Sequence, residues 1–172
     1  MRILGIDPGF AIVGYSVIDY ESRKFTVVEC GSLQTKSGVP FEKRLNQLYD
    51  GMCELMDKFK PDAVAFEELF FNTNVTTGIQ VGHARGVLIL AVTQRDCPVF
   101  EYTPLQVKQA VCGYGRADKR QVQQMVKSIL RLDAVPKLDD TTDAMAIAIC
   151  HAHSAPVMVG GAPRVLRERK GI

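Results

Sequence analysis

Three short runs rich in apolar and β-branched residues crowd the start of the chain: RILGID (2–7), AIVGYSVID (11–19) and KFTVVECGSL (24–33). Separations this short leave no room for a crossover helix, so the three runs are predicted to pair as an antiparallel meander. The pattern then changes period. Leu45, Leu48, Met52, Leu55, Met56 and Phe59 recur at helical spacing, with Lys, Glu and Asp between them. DAVAFEELF (62–70) returns to strand character, a helix-sized segment follows over roughly 76–94, and PVFEYT (98–103) is a further short strand. Strands separated by helices pair in parallel through crossovers. Residues 104–131 read as two helices broken at GYGRAD, and 141–153 as a last helix. The fold class predicted is α/β: a mixed five-stranded sheet, antiparallel meander first and parallel strands after, flanked by helices.

A chain of 172 residues fits one ordinary domain. The expected division is a domain over 1–154 and a flexible basic tail over 155–172. No apolar run approaches the ~20 residues that a membrane helix needs. The opening MRILGIDPGF lacks an apolar signal core and a small-residue cleavage site, which makes a cytoplasmic location the expectation. The five cysteines are scattered without a C-x-x-C pair, and they read as reduced, mostly buried thiols.

Net charge is only +2, but it is sorted along the chain. Between Pro104 and Arg131 six bases, Lys108, Arg116, Lys119, Arg120, Lys127 and Arg131, face Asp118 alone. The tail adds Arg164, Arg167, Arg169 and Lys170 against Glu168. Immediately after the basic segment comes LDDTTDAMAIAI (138–149), with three acids at its front. A polyanion held by the basic part and a cation held by the acidic part would explain both.

The acids each have a plain structural reading. Asp7 ends an apolar strand and precedes Pro-Gly, where a turn aspartate is common; carboxyl ends of parallel strands are also where α/β sheets open their sites. Glu67 and Glu68 interrupt a strand, and since neighbouring strand residues face opposite sides, at most one shares a face with Asp7. Asp140 and Asp143 are neighbours on a helix at i, i+3, and Asp139 and Asp143 at i, i+4, so spacing leaves the pair open. Acids at a helix start can cap it. One cap needs one acid, however, and three in five positions repel unless something positive sits among them. Taken together the acids make an oxygen-donor set for hard divalent cations such as Mg²⁺. Two such ions clamp the attacking and leaving oxygens of an in-line phosphoryl displacement. GYGRADKR places two glycines before a helix start, where free N–H groups with Lys119 and Arg120 can grip a phosphate. His83, inside GHARG, reads as a structural histidine.

Five stretches in series, GIDPG (5–9), FEELFF (66–71), GHARG (82–86), EYTPLQVKQAVCGYGRADKRQV (101–122) and DDTTDAMAIAI (139–149), resemble the RuvC family of Holliday-junction resolvases. The likeness covers roughly residues 1–153 in the family's order and spacing. It implies an RNase H-like fold and a homodimeric, Mg²⁺-dependent endonuclease that makes paired symmetric nicks in a four-way DNA junction during recombination and repair. The products would carry 5′-phosphate and 3′-hydroxyl ends. By motif, Asp7, Glu67, Asp140 and Asp143 match the family's catalytic and metal-binding acids. Two Mg²⁺ ions per site are implied, with Mn²⁺ as a substitute. The match selects Glu67 over Glu68 and Asp140 over Asp139, which is left an extra acid. Phe70 matches an aromatic that touches bases at the junction centre, and Lys108 and Lys119 match bases near the scissile backbone. Lys119 would offset charge on the transition state, and Arg116 and Arg120 would join the DNA contacts. A branch-migration helicase complex is the further partner that the family implies.

Three rivals are weighed against this. An RNA-trimming nuclease of the same fold lacks the dimer-and-junction logic. A non-enzymatic scaffold would have no use for four acids that repel DNA. A sugar-kinase-like ATPase needs two such domains around a cleft.

Overall fold

The computed structural model describes residues 1–68 and 75–155; Phe70 and the tail from 156 onward lie outside the described residues. The elements run β1 (Arg2–Asp7), β2 (Ile12–Glu21), β3 (Lys24–Gln34), α1 (Phe41–Phe59), β4 (Ala63–Glu67), α2 (Val75–Thr93), β5 (Val99–Tyr102), α3 (Pro104–Cys112), α4 (Lys119–Leu130) and α5 (Asp139–Ser154). One sheet takes the order β3-β2-β1-β4-β5. The first three strands pair antiparallel, and β1–β4 and β4–β5 pair parallel, as the spacing of the chain predicts. The carboxyl ends of β1, β4 and β5 therefore meet at one edge.

Two apolar layers sandwich the sheet. Leu4, Ile6, Val64 and Phe66 point to the side of α1 and α2, where they pack with Leu48, Met52 and Leu88. Ile3 and Ala65 point to the other side, onto Met145, Ile149 and the α3–α4 pair. Strand alternation carries this forward: Asp7 and Glu67 fall on the face that bears α5. β4 ends at Glu67, and the Glu68 N–H beyond it donates to the Tyr102 carbonyl at 2.8 Å.

α5 is buried on all sides along Ala144–Cys150, which is why its sequence shows no amphipathic stripe. It lies unusually close to the sheet. A Cβ added at Gly5 would meet the Ala144 carbonyl oxygen, and one added at Gly14 would meet that of Asp140. Glycine in these strands thus admits the helix backbone. Deeper along α5, His151 Nδ1 pairs with the Tyr102 hydroxyl at 2.8 Å, and its ring lies 4.4 Å from that of Phe100. Burial holds this imidazole down at about 4.

Helix starts fix the register of the remaining parts. Thr103 with Gln106 opens α3, and Asp118 with Gln121 opens α4, each as a reciprocal capping box. Asp118, the lone acid of the basic segment, is thereby accounted for. α5 begins two residues earlier than its sequence pattern indicates, with Leu138 at the N-cap and no side-chain cap. The five cysteines are free, but only Cys150 is buried and Cys30 is exposed, which corrects the expectation of mostly buried thiols.

Candidate active site

The acids come together where β1 and β4 end beneath the start of α5. Ile6 pairs with Phe66 across the parallel ladder, so Asp7 and Glu67 follow side by side. Asp140 and Asp143 descend on them from the first turns of α5. Their joint field is visible on Asp7: burial first, then the charges of Glu67, Asp143 and Asp140, push its carboxyl up to about 8, while Lys119 pulls the other way. Burial and Asp143 raise Glu67, against the charge of Lys108 on α3. Asp143 is raised as well, chiefly by burial, even though Lys119 favours its ionised form.

Glu68 falls elsewhere. Its charge acts on Arg85 of α2, a guanidinium lowered by burial and ion-paired with Glu101. Arg85 is thus tied to β5. His83 is exposed, with Nδ1 at 2.9 Å from the Ile79 carbonyl and its ring edge-on to Phe41, a local structural role.

Lys119 is the first residue of α4 and reaches across to the first turns of α5. Its ammonium lies 3.0 Å from Asp139 and 3.5 Å from Asp143. Partial desolvation works to lower its pKa, and the carboxylates of Asp139 and Asp143 more than offset this, leaving it raised. Asp139 in turn accepts a 2.9 Å hydrogen bond from Gln123, one turn further along α4. Neither Gln123 nor this use of Asp139 is foreseeable from spacing within one helix. Gly14 was missed too, although an isolated glycine inside a strand signals close backbone approach. Arg116 lies exposed on the turn between α3 and α4, and Arg120 lines a shallow groove with Tyr114, Gln124 and Met125. Phe70 falls outside the described residues.

The donor set is all carboxylate oxygen, the chemistry a hard divalent cation selects over soft or nitrogen ligands. Burial, and then the neighbouring carboxylates, raise Asp7, Glu67 and Asp143, and a bound cation offsets both. Among the described residues no three of these side chains are drawn tightly enough to enclose an ion as they stand. The residues present fit the group by the chemistry of their donor atoms and by the negative field they share.

Known proteins resemble this chain in sequence and in fold. The chain matches the family described as crossover junction endodeoxyribonuclease RuvC over residues 3–151. It is 56% identical over 154 residues to the crossover junction endodeoxyribonuclease RuvC of Alkaliphilus metalliredigens, covering 90% of this chain and 94% of that one. A solved structure of T. thermophilus RuvC in complex with Holliday junction substrate is similar at TM-score 0.84 and 35% identity, covering 89% of this chain and 93% of the other. The yeast mitochondrial Holliday junction resolvase Ydc2 shares the fold at TM-score 0.64 and 15% identity, covering 88% of this chain and 79% of its own.

Proposed function

We propose how this chain cuts DNA from the premise that it belongs to the RuvC family of crossover junction endodeoxyribonucleases. It has the RNase H-like fold of that family and is a metal-dependent endonuclease that resolves Holliday junctions. The observation that carries the mechanism is the convergence of Asp7, Glu67, Asp140 and Asp143 on one edge of the sheet, with Lys119 beside them.

In our reading these four carboxylates hold two Mg²⁺ ions, for which Mn²⁺ substitutes. Held by Asp7, Glu67, Asp140 and Asp143, such ions would supply Lewis acidity for a water nucleophile and for the leaving 3′ oxygen. The protein's own part is placement. Hydrogen-bonded strand ends fix Asp7 and Glu67, and the close seat of α5 on Gly5 and Gly14 fixes Asp140 and Asp143 relative to them. Lys119 sets an ammonium beside the reacting phosphate, where negative charge grows in the transition state. Lys108, whose charge already reaches Glu67, supports the same backbone. Arg116 and Arg120 extend the basic surface away from the acids, to hold an arm of the junction, and Phe70 is proposed as the base contact at its centre.

Paired nicks require two sites, and α2 offers the means. Its inner side, Ala84, Leu88, Ala91 and Val92, is buried, while its outer side carries exposed Ile79 and Leu90 around a groove floored by Gly82 and Gly86. Small residues let a second helix approach, and exposed apolar ones reward it. A two-fold dimer across α2 would give each of two symmetry-related strands its own site. The nuclease domain is taken as 1–154, with the basic tail 155–172 appended, and a branch-migration helicase complex is the further partner proposed.

The test uses an end-labelled four-way junction with Mg²⁺ or EDTA, beside linear duplex and RNA–DNA hybrid. Symmetric paired nicks on the junction alone, and only with Mg²⁺, are expected. Cutting confined to the hybrid, or persisting in EDTA, would overturn the assignment.

A further inference from the structure

Lys119 is caught between two carboxylates of different standing. Asp143 belongs to the proposed metal-binding set; Asp139 does not. Yet the ammonium lies closer to Asp139, at 3.0 Å, than to Asp143, at 3.5 Å. Asp139 is itself held: one oxygen accepts from Gln123 at 2.9 Å while the other faces Lys119. Lys119 and Gln123 stand one turn apart on α4, so the carboxylate of Asp139 bridges two successive turns of that helix. The first turns of α4 and α5 are thereby pinned to each other at the mouth of the site.

An ammonium and a divalent cation compete for the same carboxylate. If Lys119 had Asp143 as its sole anionic partner, it would settle there and would have to be displaced before a metal bound. We propose that Asp139 is a positioning residue that draws Lys119 off Asp143, keeping Asp143 open to the cation and the ammonium poised at its edge. The inference rests on the reading of Asp143 as a metal ligand. It gives the acid that the family pattern leaves over a role of its own. Both members of the Asp139–Lys119 pair are more than half exposed, at 58% and 54%, so the pair adds little to stability and can be lost without unfolding the domain.

The test is a double-mutant cycle on the full chain without DNA, reading Mn²⁺ binding by calorimetry. D139N should weaken Mn²⁺ about threefold, the size of one exposed ion pair. K119M should bind Mn²⁺ at least as tightly as the unmodified chain, because the competitor is gone. In the K119M background, adding D139N should change affinity by less than about 1.5-fold, since no lysine remains to be steered. D139E should restore the unmodified affinity. Equal weakening by D139N with and without Lys119 would show a simple charge effect and overturn the proposal, as would no change in either background. D143N separates the two readings: loss of Mn²⁺ binding in D143N with a flat D139N sinks only this inference, whereas unmodified binding in D143N sinks the ligand assignment beneath it. The Mg²⁺ concentration for half-maximal junction cleavage should rise in D139N in parallel.

Discussion

Gly14 of β2 lies directly under the backbone of Asp140, so close that a methyl group there would strike the Asp140 carbonyl oxygen. Gly14→Ala should therefore lift the first turn of α5 from the sheet. Overpacking of this kind costs about 1–3 kcal/mol. Urea denaturation should show the unfolding free energy falling by that amount, with cleavage falling further than stability because Asp140 moves relative to Asp7. A variant with full stability and full cleavage would contradict the close seat of the helix.

Removing any one proposed ligand should separate cutting from binding. For Asp7→Asn, Glu67→Gln, Asp140→Asn and Asp143→Asn, junction cleavage should drop on the order of 10³-fold or more, the scale of several kcal/mol of transition-state stabilisation. Junction affinity in Ca²⁺ or EDTA should change little, since phosphate contacts made elsewhere supply most of it. Gel-shift and single-turnover cleavage on the same preparations decide this.

Asp7 also makes a stability prediction. Its carboxyl sits at about 8 in the folded protein against an ordinary 3.8. Between those values the native state binds more protons than the unfolded one, so this group's contribution falls as pH rises from 4 to 8. Without divalent metal, Asp7→Asn should stabilise the protein at pH 8 by on the order of 1–3 kcal/mol and by almost nothing at pH 4. Thermal melts in EDTA at the two pH values measure it.

His151 works in the opposite sense. Buried against Tyr102 and Phe100, it stays neutral down to about 4. The unfolded state then binds the extra proton between about 6.5 and 4, and stability is lost as pH falls through that window. His151→Phe should flatten this acid slope by about 2–3 kcal/mol, while costing stability at pH 8 through the stranded Tyr102 hydroxyl. Urea melts at pH 8, 6 and 4.5 follow both effects.

On α2, Ile79→Glu combined with Leu90→Glu should leave the fold intact, because both side chains are half exposed, at 52% and 50%. Sedimentation should then show a monomer in place of a dimer. Nicks on the two opposed strands should lose their coupling and accumulate singly. An unchanged dimer would move the proposed interface off this helix.

Much of this architecture is legible before any coordinates. The spacing of the first three strands leaves them no other pairing, and the helical repeat of Leu48, Met52, Leu55 and Phe59 is the face that α1 buries. The choice between Glu67 and Glu68 is a matter of strand parity, which is readable only once Ala65 and Phe66 are seen on opposite sides of the sheet. α5 starts two residues ahead of its sequence pattern, since Asp139 and Asp140 lack the apolar period that marks the rest of the helix. What remained hidden joins residues far apart in sequence. Arg85 with Glu101, Tyr102 with His151 and Gln123 with Asp139 depend on how whole elements are stacked, and no local pattern encodes that. Exposure of Cys30 is of the same kind: it follows from β3 being an edge strand.

The proposed metal site draws its acids from residue 7, residue 67 and the helix that begins at Asp139. A chain emerging from the ribosome folds from its N-terminal end, so everything up to β5 can be in place while half of these ligands are still unsynthesised. A prematurely terminated product therefore lacks α5, and with it both the lid of one core layer and the second pair of carboxylates. The proposed metal site is thus completed only once α5 has been made.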